Sequence, residues 1–244
     1  ITRLWLVNTL SLKENHDLVD NTGAKRPAWQ KLGEALGENK SLLELKLDSC
    51  CLEDEGLVLL SQGLVQNSTL ERLSLRDNRI SDVGVRPLSD ALSIPRDESG
   101  TNNNPLSLVP QVRMVDLSEN LVTPAGLAYL LQCPKLEELV LYANRVALNG
   151  AIEELVNGDN ADRLHRLDLS CNEISAPGFQ WFSEALAAGL LPTLTILEVA
   201  GNVNQDEIPT WQPSVDHLET QRPTLKIYWK RLENAIPQGT ERPM

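Results

Sequence analysis

Apolar residues recur along this chain in short blocks of the form Leu-x-x-Leu-x-Leu, most of them followed by an Asn and then a Gly. The best-formed block spans residues 70–84, and the residues that carry its pattern are Leu70, Leu73, Leu75, Asn78, Ile80 and Gly84. Alternation of apolar and polar residues over a few positions is typical of a short strand with one buried face. The block therefore predicts a strand that ends in a turn near Asn78.

The same block recurs at a nearly constant spacing, which indicates an internal repeat. We call the second aliphatic residue of each block its phase residue, and these are Leu45, Leu73, Val115, Leu139, Leu167 and Leu197, with looser matches at Leu4 and Leu225. Three of the seven steps are 28 residues long, and two more equal 28 residues plus an insertion of 13 or 14. A unit of this size cannot bury a core alone, so the units are expected to stack.

The second part of each unit changes from strand spacing to helical spacing. Gly84, Leu88 and Leu92 illustrate the change, because residues four positions apart lie on one face of a helix. The candidate N-caps are Asp54, Ser81, Thr123 and Ser175, and the prolines suited to a first helical turn are Pro124 and Pro177. Each unit is therefore predicted to contain one strand and one short helix.

A polar residue recurs at the same position after most of the predicted strands. The residues five positions after the phase residue include Asn78, Asn120, Asn144, Asn172 and Asn202. An Asn amide both donates and accepts hydrogen bonds, so stacked Asn side chains can satisfy backbone groups of neighbouring turns. Cys50 takes this position in one unit and offers weaker hydrogen bonding.

These features resemble the ribonuclease-inhibitor-like class of leucine-rich repeat proteins. The resemblance rests on the Leu-x-x-Leu-x-Leu blocks, the Asn or Cys position and the Gly that opens each helix, and it is strong over residues 40–202. It implies an α/β fold, a leucine-rich repeat solenoid (horseshoe) with a parallel sheet on the concave face and helices on the convex face. It also implies that the concave sheet binds other proteins.

The phase residues also predict the boundaries of the array. We expect a solenoid of seven to eight units over residues 1–230, with insertions near 9–26 and 94–110, and an extended C-terminal tail over residues 231–244. Residues 203–223 are expected to form an irregular loop with one helical turn near residues 215–220. A closing strand is expected over residues 224–229.

Composition limits the classes of partner. A net charge of −12 disfavours nucleic acid, whose phosphates attract a basic stripe, and it favours a protein partner with a basic surface. No apolar run approaches membrane-spanning length, and no signal peptide is recognised. The four cysteines have neither the clustering of disulfide caps nor the spacing of a zinc site, so we expect reduced thiols and a cytoplasmic location. No cofactor or metal is expected.

The variable residues between the leucines are predicted to line the concave face. Aromatic residues and Arg are frequent energetic anchors of protein interfaces, and an acidic band along the strands suits a basic partner. The predicted partner-binding residues are Trp5, Arg72, Arg76, Asp116, Glu138, Tyr142, Arg166, Asp168, Glu198 and Tyr228.

The sequence favours a binding protein over an enzyme. It contains no Gly-x-Ser-x-Gly and no His-Glu-x-x-His, and its three His residues lie far apart. We therefore predict a non-catalytic protein–protein interaction scaffold that forms part of a hetero-complex or of a longer chain.

Two alternative functions stay open. The first is a GTPase activator, because the Ran GTPase-activating protein shares this repeat class and has an insertion in its first unit. Here Arg3 and Arg26 lie near such an insertion, and an Arg supplied in trans can stabilise a phosphoryl-transfer transition state. The second alternative is a purely structural spacer that packs through its helices.

Overall fold

Ten short strands lie in the parts of the chain that the computed structural model describes, which are residues 2–8, 18–19, 25–26, 28–93, 110–148 and 162–230. They are β1 (Arg3–Trp5), β2 (Leu18–Val19), β3 (Lys25–Arg26), β4 (Glu44–Lys46), β5 (Arg72–Ser74), β6 (Met114–Asp116), β7 (Glu138–Val140), β8 (Arg166–Asp168), β9 (Ile196–Glu198) and β10 (Lys226–Tyr228). Eight of them form one sheet in the order β1–β4–β5–β6–β7–β8–β9–β10, in which every neighbouring pair is parallel. β2 and β3 form a separate antiparallel pair.

The register of the sheet follows the phase residues. Leu4 pairs with Leu45, Leu45 with Leu73, and each later phase residue with its successor as far as Leu197. From Leu45 to Leu197 the phase residues have no exposed surface. The predicted period is thus confirmed for these units, in which each strand buries the same position against the helices.

Six helices are described. They are α1 (Ala28–Glu38), α2 (Glu53–Leu64), α3 (Asp82–Leu92), α4 (Pro124–Leu131), α5 (Ala176–Ala187) and α6 (Ile208–Gln221), with a 3-10 turn at Gln205–Glu207 before the last. α1 packs on α2, α2 on α3, α3 on α4, and α5 on α6. One apolar core runs continuously between the sheet and these helices from Trp29 to Trp229. The chain therefore forms the expected leucine-rich repeat solenoid.

The Asn side chains form the ladder that the sequence predicts. Asn120 Oδ1 accepts hydrogen bonds from the backbone N–H groups of Asn78 (3.1 Å) and Ile80 (2.9 Å). Its Nδ2 donates to the carbonyls of Leu75 and Leu117, both at 2.9 Å. Each such amide thus joins two consecutive units through buried backbone groups that water cannot reach.

Left-handed backbone recurs one residue before each ladder position. The residues with positive φ at this position are Asn8, Ser49, Asp77, Glu119, Ala143, Cys171 and Gly201. A side chain with a Cβ is disfavoured in this conformation, so six of these seven residues carry a small local strain. The turn that leads out of each strand therefore has one geometry throughout the array.

Caps of the helices extend from one unit to the next. Ser81 caps α3 by accepting from Val83 N–H, and Ser81 itself donates its N–H and its hydroxyl to the carboxylate of Asp54 at 2.7 and 2.6 Å. Gly84 N–H also donates to Asp54, and a Cβ at Gly84 would lie only 2.7 Å from that carboxylate. Gly is therefore required at this helix opening because the preceding unit contributes to the cap.

The predicted N-caps differ in their outcome. Ser81, Thr123 and Ser175 each accept a hydrogen bond from the first turn of their helix, as predicted. The prediction for Asp54 is wrong, because α2 begins at Glu53 and Asp54 lies inside its first turn. From there Asp54 serves the helix of the next unit.

The last unit corrects two predictions. Residues 203–223 are not an irregular loop, because α6 occupies most of them and buries Trp211, Val215 and Leu218. The phase residue of the last strand is Ile227 rather than Leu225, since Ile227 pairs with Leu197. The expected insertions at 9–26 and 94–110 lie outside the described residues apart from β2, β3 and Pro110, and the tail at 231–244 lies wholly outside them.

Candidate protein-binding face

Three columns of side chains cover the side of the sheet that faces away from the helices, which we call the inner face. The column before the phase residues contains Arg3, Glu44, Arg72, Met114, Glu138, Arg166, Ile196 and Lys226. The column after them contains Trp5, Lys46, Ser74, Asp116, Val140, Asp168, Glu198 and Tyr228. The third, two residues further on, contains Val7, Asp48, Arg76, Ser118, Tyr142, Ser170 and Ala200. All ten predicted partner-binding residues thus belong to this face.

Arg166 lies at the centre of a charged cluster on strands β7 to β9. Its guanidinium is 2.9 Å from a carboxylate oxygen of Glu198, 3.8 Å from one of Glu138 and 3.9 Å from one of Asp168. Three carboxylates therefore share one cation, and the cluster carries net negative charge when all groups are ionised. All four side chains reach solvent over less than a third of their surface.

Glu198 is the carboxylate that this environment perturbs. Burial raises the pKa of Glu198 above its ordinary value, and the adjacent Asp168 carboxylate raises this pKa further through a hydrogen bond and charge repulsion. Arg166 acts in the opposite direction and lowers it. The guanidinium of Arg166 thus neutralises Asp168 and Glu198 only in part, which leaves the cluster able to attract a further positive group.

Asp168 and Asp116 are held by the turns that follow their own strands. Asp168 Oδ1 accepts from Ser170 N–H at 2.9 Å, and Asp116 Oδ1 accepts from the N–H of Ser118 at 2.9 Å and from its hydroxyl. Asp168 is only 8% exposed. Its carboxylate therefore contributes negative potential to the face but offers a partner little contact area.

Tyr142 and Arg76 form a second group in the third column. Tyr142 is partly exposed, and a hydrogen bond with Cys171 raises the pKa of its phenol. Arg76 is ion-paired with Glu119, the left-handed residue of the unit on β6. Arg72, in the first column, is exposed and has no ion pair with any residue in the described ranges. Tyr142 thus presents a partly exposed aromatic ring in the third column.

Trp5 and Tyr228 lie at opposite ends of the face. They belong to the outermost strands β1 and β10, which seven strand spacings separate by roughly 33 Å. Trp5 is 56% exposed, and Lys46 Nζ lies 4.9 Å from the centroid of its ring. The register places Tyr228 beside Glu198. The two aromatics therefore cannot contact one small ligand together.

Several neighbours that fix these side chains were not among the predicted residues. Glu44 lies 3.1 Å from Arg3 and 3.4 Å from Lys46, and Asp48 accepts from the Ser74 hydroxyl at 2.6 Å. Glu44, Arg3, Lys46 and Asp48 stand in the three columns that the repeat defines, so the sequence predicts that they lie on the inner face. Glu119 stands outside those columns, and only the recurrence of the left-handed position identifies it.

Across the described ranges, no group of three or more His, Cys, Asp or Glu residues is arranged to hold a metal ion. All four cysteines are free thiols. No helix within the described parts is long and apolar enough to cross a membrane. Arg3, named for the GTPase-activator alternative, is ion-paired to Glu44, and the side chain of Arg26 lies outside the described residues.

Comparisons with known proteins relate this chain to leucine-rich repeat proteins. A family profile described as "Leucine Rich repeat" matches residues 38–61, 66–89 and 164–180. The pig ribonuclease inhibitor is 30% identical over 189 residues, which cover 73% of this chain and 38% of that protein. Human NACHT, LRR and PYD domains-containing protein 5 is 47% identical over 62 residues, which are 25% of this chain and 5% of the relative.

Two solved structures are similar to parts of this chain at low sequence identity. The leiomodin-1 structure titled actin-binding site 2 is 16% identical, covers 80% of this chain and 90% of that chain, and has a TM-score of 0.45. The tropomodulin C-terminal domain of Caenorhabditis elegans is 12% identical, covers 80% of this chain and 96% of that chain, and has a TM-score of 0.43.

Proposed function

Because the chain belongs to the leucine-rich repeat proteins and is ribonuclease-inhibitor-like, we propose that it is a non-catalytic scaffold that binds a partner protein through its inner face. The aligned segments span only 5% to 38% of the lengths of the relatives named above. We propose that the chain acts within a hetero-complex or a longer protein. The name of the pig relative describes an inhibitor of another protein, and only the binding of a protein is carried over to this chain.

The distribution of exposed apolar side chains is the observation that carries this proposal. Among the described residues, four of the seven large exposed apolar side chains lie on the inner face, at Trp5, Val7, Tyr142 and Tyr228. Leu43 directly precedes β4, and Val65 and Val83 lie on the helix layer in different units. Exposed aromatics among charged residues are the composition of a protein interface, whereas a spacer that packs through its helices would expose apolar residues there.

The Arg166 cluster indicates the charge of the partner surface that would meet β7 to β9. Glu138, Asp168 and Glu198 outnumber Arg166, so a Lys or Arg of the partner would complete the neutralisation. Tyr142 would then pack against the aliphatic part of that side chain. We further propose a cytoplasmic location, which the four free thiols support.

Cross-linking and affinity purification from the native source, followed by affinity measurement with the purified partner, tests the proposal. Tyr142→Ala and Glu198→Ala should each weaken binding about tenfold or more, because each removes a central contact. Val83→Ala removes an apolar side chain from the helix layer and is the matched control that should leave the affinity unchanged. Equal affinities for all three variants, or a loss only with Val83→Ala, would refute inner-face binding.

A further inference from the structure

Charge is unevenly divided along the inner face. On β1, β4 and β5 and the turns that follow them, the charged residues of the three columns are Arg3, Lys46, Arg72 and Arg76 against Glu44 and Asp48. On β6 to β9 they are Arg166 against Asp116, Glu138, Asp168 and Glu198. A chain of net charge −12 thus carries a locally positive surface at the N-terminal end of its inner face.

The two acids in the positive part are already used within the protein. Glu44 is held between Arg3 and Lys46, and its side chain is only 13% exposed. Asp48 accepts from the Ser74 hydroxyl at 2.6 Å and from the Arg76 N–H at 3.3 Å. These carboxylates are therefore engaged with neighbouring groups. Arg76 is ion-paired with Glu119, so the four cations exceed the three carboxylates around them by one positive charge.

The cations of this part reach solvent. The Arg3 side chain is 69% exposed, although its Nε approaches Glu44, and the Arg72 side chain is exposed without an ion pair to any described residue. Lys46 is more than one-third exposed and also faces the Trp5 ring. Accessible positive charge thus lies beside an aromatic ring.

Exposed apolar surface lies next to these cations, at the edge of the sheet. Trp5 and Val7 are each about half exposed, on the same strand and the turn that follows it. We call the surface formed by Arg3, Trp5, Val7, Lys46 and Arg72 the Trp5 patch. Trp5 and Val7 occupy neighbouring positions of one face, and the charged residues beside them form a polar rim, which is the arrangement of a contact patch.

We propose that the Trp5 patch binds a partner segment that carries carboxylates next to a large apolar side chain. This inference rests on the proposed function and specifies the partner chemistry at one end of the inner face. The apolar side chain covers Trp5 and Val7, while the carboxylates pair with Arg72 and Arg3. β1 and β5 are two strand spacings apart, roughly 10 Å, so about three residues of an extended segment separate the apolar contact from the Arg72 contact.

Charge selects this partner over two others. A nucleic-acid backbone would bring phosphates against Glu44 and Asp48 and into the field of a strongly acidic protein. A basic segment would meet the excess positive charge. A second copy of the chain could offer the acidic part of its own inner face, so the experiment must also measure self-association.

A pair of designed peptides tests the inference. The acidic probe is fluorescein-Gly-Glu-Leu-Trp-Glu-Leu-Glu-Gly-amide, with the dye on the N-terminal amine, and the control peptide replaces each Glu by Gln. Fluorescence anisotropy should show saturable binding of the acidic probe that weakens as sodium chloride is added, and at least tenfold weaker binding of the Gln peptide. Equal binding of the two peptides would overturn the inference, as would concentration-dependent dimerisation through the Trp5 patch in sedimentation equilibrium.

Matched charge reversals locate the site. Arg72→Glu should weaken binding of the acidic probe at least tenfold, whereas Arg86→Glu, which makes the same charge change on the exposed side of α3, should not. Trp5→Ala should weaken binding at low and high salt alike, because it removes an apolar contact. Circular dichroism melting verifies that each variant is folded. A similar loss for Arg86→Glu and Arg72→Glu would show only the effect of net charge and refute the site.

The same variants separate this inference from the proposed function. A captured partner that responds to Tyr142→Ala but not to Arg72→Glu or Trp5→Ala would keep inner-face binding and overturn the Trp5 patch. A partner that responds to none of these three variants would overturn inner-face binding itself.

Discussion

Replacing Asn120 with Ala removes a buried joint between two repeat units. Asn120 is only 5% exposed, and its amide makes hydrogen bonds to both the preceding turn and its own turn. The Ala side chain keeps the fold's shape but can neither accept from the N–H groups of Asn78 and Ile80 nor donate to the carbonyls of Leu75 and Leu117.

The magnitude follows from these bonds. The variant loses two accepted hydrogen bonds and those of the two amide hydrogens, which the carbonyls of Leu75, Leu117 and Ser118 share. Each net bond contributes about 1 kcal/mol, with more lost where a buried group stays unpaired. We therefore expect the free energy of unfolding to fall by about 4 kcal/mol. Asn172→Ala removes the same kind of amide from a half-buried position, where water can replace part of the bonding, so we expect about half that loss.

Urea unfolding followed by circular dichroism measures both losses, with hydrogen exchange as a local readout. The backbone amides of Asn78 and Ile80 should lose protection in the Asn120→Ala variant, because each loses its acceptor. Asn120→Cys imitates the natural Cys50, whose Sγ donates to the Leu6 carbonyl at 2.7 Å, and should fall between the parent and the Ala variant.

One result would refute the reasoning. The refuting result has two parts. The free energy of unfolding falls by less than about 1 kcal/mol in Asn120→Ala, or by no more than in Asn172→Ala, and the Asn78 and Ile80 amides also stay protected from exchange. The ladder would then not be what satisfies these buried groups.

Three further predictions test the core, a thiol and an acid. Leu75→Ala and Leu169→Ala should each lower the free energy of unfolding by roughly 2–5 kcal/mol in the same urea assay, because both side chains are fully buried. An unchanged stability would contradict the assigned strand register. Burial raises the pKa of Cys133 to about 11, so a thiol reagent near pH 8 should label the half-buried Cys171 and leave Cys133 unmodified until unfolding; equal labelling of both would contradict this. Burial, aided by Asp168, raises the folded-state pKa of Glu198, so the folded state holds this proton more tightly and loses that stabilisation as pH rises above the ordinary value of 4.5. Glu198→Gln should thus gain stability relative to the parent between about pH 4 and pH 7, and a difference that shrinks with pH would contradict it.

The repeat made most of the fold predictable, and its irregular last unit shows why the rest was not. Strand register depends on a period that many units share, so a wrongly assigned phase residue in one unit disagrees with the spacing of the others. α6 was missed because Pro209 and Pro213 suggest a loop. Pro209 falls in the first turn, where its missing N–H is not needed, and the helix still buries Trp211.

The site was less predictable than the fold because exposure depends on neighbours rather than on phase. The pattern correctly assigns Asp168 to the inner face, but the turn at Ser170 and the adjacent Arg166 cover it. Ion pairing shows the same limit, since Arg76 and Arg72 look alike in sequence while only Arg76 has an ion-pair partner among the described residues. Periodicity therefore identifies which side chains share a face, and three-dimensional contacts decide which of them a partner can reach.

The helix caps give the array a direction. Asp54 belongs to α2 but accepts from Ser81 and Gly84 at the start of α3, and Asp82 of α3 does the same for Thr123 before α4. Removing a unit from the N-terminal side therefore takes an acceptor away from the next helix, at a cost of about 1 kcal/mol beyond the lost packing. Truncation after α3 leaves the caps of the remaining helices whole. Fraying should consequently spread more readily toward the C-terminus than toward the N-terminus.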